Sequence, residues 1–138
     1  MEVNLKLDRN MRIIGSNNMG LETVFDSHPA VGGEDTAATP MEVMLQAMGA
    51  CSFMDVLAIL RKKKKKIDDL KVFLTGELAT NYPKYFVKVH ISYELKSPDA
   101  EIKDLDRAVE LSQKTYCGAS ALFQKAGCEV TWETKILR

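Results

Sequence analysis

Cysteine is scarce in this chain: Cys51, Cys117 and Cys128 are the three in 138 residues. So small and odd a number excludes the disulfide framework on which small extracellular domains rely. No pair is spaced as Cys-x-x-Cys, the histidines are limited to His28 and His90, and no His-Glu-x-x-His run occurs, so neither a metal ion nor another cofactor is expected. Net charge is also missing. Nineteen Lys and Arg balance nineteen Asp and Glu, which leaves no overall field to draw the chain to nucleic acid or an anionic membrane. No segment has the roughly 20 continuous apolar residues of a membrane span; the most apolar one, Pro40 to Leu60, is interrupted by Glu42, Gln46, Ser52 and Asp55. That pattern suits a buried helix. The opening MEVNLKLDRN alternates charged and apolar residues, without the basic start and apolar core of a secretion signal. The expectation is a cytoplasmic protein with free thiols and neither a membrane nor a nucleic-acid partner.

What is present is enough to build a core. A hydrophobic fraction of 46% with 28% charged residues is globular in character, and this length suits one domain over residues 1–138. Val3, Leu5 and Leu7 alternate, turn residues follow at Gly15 to Asn18 and at Gly20, and Leu21, Thr23 and Phe25 alternate again, which predicts three short strands. Asp26 to Thr39 reads as an ordered surface loop. Thr39 and Pro40 then open a helix of about 20 residues, with Met44, Leu45, Met48, Ser52, Val56, Ile59 and Leu60 at helical spacing. At about 1.5 Å per residue it would cross the whole core. Strands are predicted over Val72 to Leu78 and Tyr85 to Leu95, then a helix carrying Ile102, Leu105, Ala108, Val109 and Ser112, a short helix from Cys117 to Lys125, and a last strand with Cys128, Val130, Trp132, Thr134 and Ile136. The order βββαββααβ is that of an α+β protein whose helices cover antiparallel-rich sheets.

Two thiols are candidates for chemistry. Cys51, at the middle of the long helix, is either a small packing residue or, if its thiolate reaches a pocket, a nucleophile. Cys117 stands at the start of the short helix, where unpaired N–H groups favour an anion. Cys128 shares the strand parity of Val130 and Trp132, which suits a structural residue. Asp55 lies one helical turn after Cys51 and would oppose a neighbouring thiolate, so a hydrogen-bonding role is expected for it. Lys62 to Lys66 reads as a solvated charge run at the helix end, and His28 as a solvated loop histidine.

The segments TPMEVMLQAMGACSFMDVLAILRKKKKKIDDLKV and LSQKTYCGASALFQ, followed by a final strand, resemble the OsmC/Ohr superfamily, particularly its YhfA-like branch. The resemblance covers nearly the whole chain. It implies an OsmC-like fold with a long central helix, assembled as an intertwined homodimer. It further implies that Cys51 attacks an organic hydroperoxide, that Cys117 resolves the sulfenic acid as an intramolecular disulfide, and that an external dithiol or lipoylated protein returns the pair to thiols. Its catalytic set in this chain would be Cys51, Cys117 and Glu42. The alternative is a noncatalytic redox sensor or a binder of small apolar ligands.

One element of the family pattern is missing. Peroxidase members carry an arginine in the loop before the long helix, whereas the loop here, DSHPAVGGEDTAATP, has none, and Arg9 and Arg12 lie earlier. The usual Pro-Glu at the helix start is Pro40-Met41-Glu42 instead, a one-residue shift that turns the carboxylate by about 100°. A positive charge beside a thiolate favours attack, so its loss is expected to slow the chemistry.

Overall fold

Asn10, at φ +47°, reverses the chain between β1 (Val3–Arg9) and β2 (Arg12–Asn17); asparagine tolerates this left-handed region better than most side chains. A second reversal is held by Asn17, whose side-chain oxygen accepts the Met19 and Leu21 N–H groups at 2.9 and 3.0 Å. It leads into β3 (Glu22–Phe25), so the first sheet is antiparallel in the order β1-β2-β3. The computed structural model describes residues 1–138. They divide into two compact units, Met1–Met44 and Leu45–Arg138.

In the first unit the predicted loop is ordered by Asp26. Its carboxylate accepts the Thr36 hydroxyl and the Ser27 and Thr36 N–H groups, and these bonds, the Thr36 hydroxyl foremost, hold its pKa down to about 2. Gly33 is required where it stands, because a Cβ there would lie 1.9 Å from the Ser27 carbonyl oxygen. Pro29–Val31 adds a single 3₁₀ turn. Strand β1 behaves differently from a core strand: Val3, Leu5 and Leu7 alternate as expected, yet they are 67, 64 and 69% exposed.

Helix α1 (Pro40–Lys62) opens on a reciprocal cap, in which the Thr39 N–H donates to Glu42 Oε1 at 2.9 Å and the Glu42 N–H donates to Thr39 Oγ1 at 3.3 Å. By length and composition α1 is apolar enough to cross a membrane. Met48, Ser52, Val56 and Leu60 form one stripe at spacings of four that is fully buried in the second unit, while Met44 and Met54 on other faces are 49 and 69% exposed. Gly49 lets α1 lie close to the sheet, since a Cβ there would meet Leu74 Cδ1 at 2.6 Å.

Strands β4 (Asp69–Leu78) and β5 (Phe86–Lys96) pair antiparallel, with Val89, Ile91, Tyr93 and Leu95 of β5 buried in the strict alternation that the sequence predicts. The sheet order is β4-β5-β6, where β6 is Glu129–Leu137. Here β6 pairs parallel to β5, because α2 (Ile102–Leu111) and α3 (Gly118–Lys125) intervene and return the chain to the same end of the sheet. The α+β reading and the element order therefore hold, with the secondary structure in two three-stranded sheets and one parallel pair within them. Leu105, Ala108 and Val109 of α2 join the core of the second unit.

The lysine run is not wholly solvated. Lys63 and Lys65 reach the nearly buried Asp104 at 3.1 and 3.2 Å, and the Lys66 N–H donates to Asp99. Asp104 also caps α2 through the Glu101 N–H; that backbone bond, followed by the lysine contacts, holds its pKa down to about 2. A depressed carboxylate stabilises the fold fully above its unfolded value and loses that contribution as pH falls through its folded value. Asp104→Asn is therefore expected to be less stable than wild type at neutral pH, with the gap closing between about pH 4 and about pH 2. Urea unfolding across that range checks this, and a gap that stays constant would contradict it.

Candidate functional site

The last turn before Cys117 decides where its sulfur goes. Ser112–Tyr116 is a π turn, whose wider spacing lets the consecutive polar residues Ser112 and Gln113 both point inward and be buried. Cys117 then caps α3, and its Sγ accepts the Ser120 N–H at 3.3 Å. The thiol sits 4.0 Å from the Met48 carbonyl of α1, one turn before Cys51. As a result Cys51 Sγ, Cys117 Sγ and a carboxylate oxygen of Asp55 all lie within 4.8 Å of one another.

The two thiols stand in different surroundings. Cys51 is half-buried and Cys117 is 2% exposed; both are free. Burial pushes the Cys117 thiol up, Ser120 pulls it partly back through its hydroxyl and then its N–H, and the Cys51 sulfur beside it pushes it up again. A disulfide needs the sulfurs about 2.05 Å apart, so closing the pair requires a side-chain movement of at most about 2.8 Å.

Behind the pair runs a buried polar network. Ser52 Oγ lies 2.6 Å from the Tyr93 hydroxyl and 2.8 Å from Ser112 Oγ, while Ser112 Oγ is 3.0 Å from Asp55 Oδ2. Gln113 Nε2 donates to Tyr93 Oη at 2.8 Å and to Ser52 Oγ at 3.2 Å. Ser112 has one proton for two acceptors, and the carboxylate is the stronger acceptor. Giving it to Asp55 leaves Ser52 to donate to Ser112 and Tyr93 to donate to Ser52, a chain that satisfies each hydroxyl. Gln113 Oε1 stays without a partner. Burial is the main cause that raises the Tyr93 phenol above its ordinary value.

The expected site residues divide accordingly. Cys51 and Cys117 come together, and Asp55 joins them as the hydrogen-bonding carboxylate expected from its position. Glu42 lies in the first turn of α1, inside the first unit, engaged in the cap that lowers its pKa through the Thr39 N–H. Arg9 and Arg12 are committed to Glu34, Asp8 and Thr36. Of the lysine run, Lys62 lines a shallow depression with Asp55, Ala58, Ile59 and Tyr116. Cys128 is buried with the core, as a structural residue would be. Ser112, Gln113 and Tyr93 were not expected at the site; in the sequence, Ser112 and Tyr93 read only as members of the inward faces of a helix and a strand, and nothing local marks the π turn.

A cysteine on the long helix with a second one facing it gives this α+β chain a dithiol site. The family model described as OsmC-like protein matches residues 33–133, and the chain belongs to that family. Among its relatives is Protein YhfA of Escherichia coli strain K12, 29% identical over 126 residues, 91% of each chain. A hypothetical protein from Aquifex aeolicus superposes with a TM-score of 0.81 at 31% identity, covering 99% of this chain and 97% of that one. An organic hydroperoxide resistance protein OsmC from Legionella pneumophila shares the fold at a TM-score of 0.65 and 15% identity, covering 99% of this chain and 96% of that one.

Proposed function

We propose that this chain, working as a single domain and as a homodimer in the cytoplasm, reduces organic hydroperoxides with Cys51 and Cys117. The observation that carries the reading is the approach of the two free sulfurs to within 4.8 Å, with the outer one on α1 and the inner one capping α3. In the first step the Cys51 thiolate attacks the outer peroxide oxygen, the O–O bond breaks, and the alkoxide leaves as alcohol after taking a proton. The Cys51 sulfenic acid then condenses with the Cys117 thiol, forming the S–S bond and releasing water. An external dithiol or lipoylated protein reduces the disulfide, becoming a disulfide itself.

Glu42 is proposed as the carboxylate that assists peroxide binding, by resemblance to the family pattern. The exposed row Val3, Leu5 and Leu7 favours a second copy as its cover, since burying such a face removes about 25 cal/mol per Å² of unfavourable apolar exposure. A second reading, oxidation without turnover as a sensor, is favoured by one feature: the group beside the sulfurs is the Asp55 carboxylate, where a peroxidase benefits from a cation.

Consumption of cumene hydroperoxide with dihydrolipoamide separates the two readings. Many equivalents consumed per chain establish turnover; a single equivalent, followed by a stable disulfide that the dithiol does not reopen, establishes the sensor.

A further inference from the structure

Three groups that are negative when ionised converge at the α1–α3 contact: Cys51 Sγ, Cys117 Sγ and Asp55. The partner of the Asp55 carboxylate is the neutral Ser112 hydroxyl rather than a lysine or arginine. A divalent cation seated among three such donors is attracted by each of them. We infer that Cys51, Cys117 and Asp55 form a binding site for a thiophilic divalent cation of the zinc and cadmium class. This rests on the geometry of the donors and is independent of peroxide turnover.

The donor chemistry selects the ion. Two thiolates and one carboxylate, without imidazole, suit a soft or borderline d¹⁰ ion better than magnesium or calcium. In a tetrahedral site Zn–S bonds of about 2.3 Å put sulfur atoms about 3.8 Å apart, so ligands now within 4.8 Å need to move inward by about 1 Å. Cys51 and Asp55 are half-buried on successive turns of one helix face and have that freedom. The fourth position is left to water.

Outer contacts that hold metal ligands in orientation are already in place. Ser112 donates to Asp55, Ser112 is itself tied to the fully buried Ser52, and the Ser120 N–H points at the Cys117 sulfur. Loading exchanges one M²⁺ for the two thiol protons, with no change of oxidation state. Both sulfurs are then coordinated, so the bound ion caps the pair against oxidation. Linear spacing hides the site, because its donors come from positions 51, 55 and 117.

The test is a titration of the reduced full-length protein with Cd²⁺, reading the thiolate-to-cadmium charge-transfer band and, in parallel, proton release. The expected result is saturation at about one ion per chain with about two protons released, and displacement by Zn²⁺. Cys51→Ser and Cys117→Ser should each weaken binding by at least about tenfold and diminish the band. Asp55→Asn should weaken binding by about tenfold while keeping the band, because both sulfurs remain, and Asp55→Glu should restore much of the affinity. Cys128→Ser should bind as wild type does. Circular dichroism confirms that each variant is folded. No saturable band overturns the site, Asp55→Asn binding at wild-type affinity removes Asp55 from it, and loss of the band in Cys128→Ser places the ion elsewhere. No peroxide is present, so failure here leaves the turnover reading standing, and the reverse holds too.

Discussion

The Cys117→Ser protein is expected to consume about one equivalent of organic hydroperoxide per chain and stop, holding a Cys51 sulfenic acid that dimedone traps, while Cys51→Ser consumes none above background. The asymmetry follows from exposure. Cys51 is half-buried and can be reached by a peroxide, whereas Cys117 is 2% exposed, with burial pushing its thiol up. A hydroxyl in place of the Cys51 sulfur removes the nucleophile and should lower the rate of peroxide consumption by at least about a thousandfold, on the order of 4 kcal/mol of activation free energy. Removing Cys117 leaves the first step intact and takes away the second sulfur, so the sulfenic acid waits for an outside thiol. Single-turnover kinetics with mass spectrometry of the trapped product read both effects. Unimpaired multiple turnover in Cys117→Ser would end the resolving role; the same in Cys51→Ser would end the mechanism.

Elements with a strong local signature were legible in the sequence. Thr39-Pro40 marks the start of α1, the alternation through Val89, Ile91, Tyr93 and Leu95 marks β5, and Gly127, at φ +88°, marks the end of α3. The reciprocal Thr39–Glu42 bonds, which only the structure shows, add a capping duty to the carboxylate that the family pattern assigns to catalysis. Other features depend on groups distant in the chain. Lys63 and Lys65 read as solvent-facing until Asp104, some forty residues on, meets them. Ser52, Tyr93 and Ser112 each look unremarkable locally, since a lone serine or tyrosine on an apolar face has no period of its own. The cysteine pair lies between these cases. Its two contexts were recognisable by resemblance, but the 65 residues between Cys51 and Cys117 carry no information about the distance between the sulfurs.

The network behind the pair yields the other large effect, on stability. Ser52 is fully buried, and its oxygen is shared by Tyr93, Ser112 and Gln113. Ser52→Ala is expected to destabilise the protein by about 1–3 kcal/mol, because it strands buried hydroxyls whose hydration was given up on folding. For a chain of this size that lowers Tm by roughly 3–10 °C. Tyr93→Phe removes the opposite partner, so the double variant should be less destabilised than the sum of the single changes, by about 0.5 kcal/mol or more. The same change reaches the thiols. Ser112, which loses a partner in Ser52→Ala, opens the π turn that delivers Cys117 and also holds Asp55, so disulfide formation after peroxide treatment should slow even well below Tm. Thermal unfolding of the four proteins of the cycle, together with the rate of thiol loss, decides the point. Strict additivity with an unchanged oxidation rate would mean that the network merely fills the interior, while coupled losses would make it the frame that holds the two sulfurs within reach.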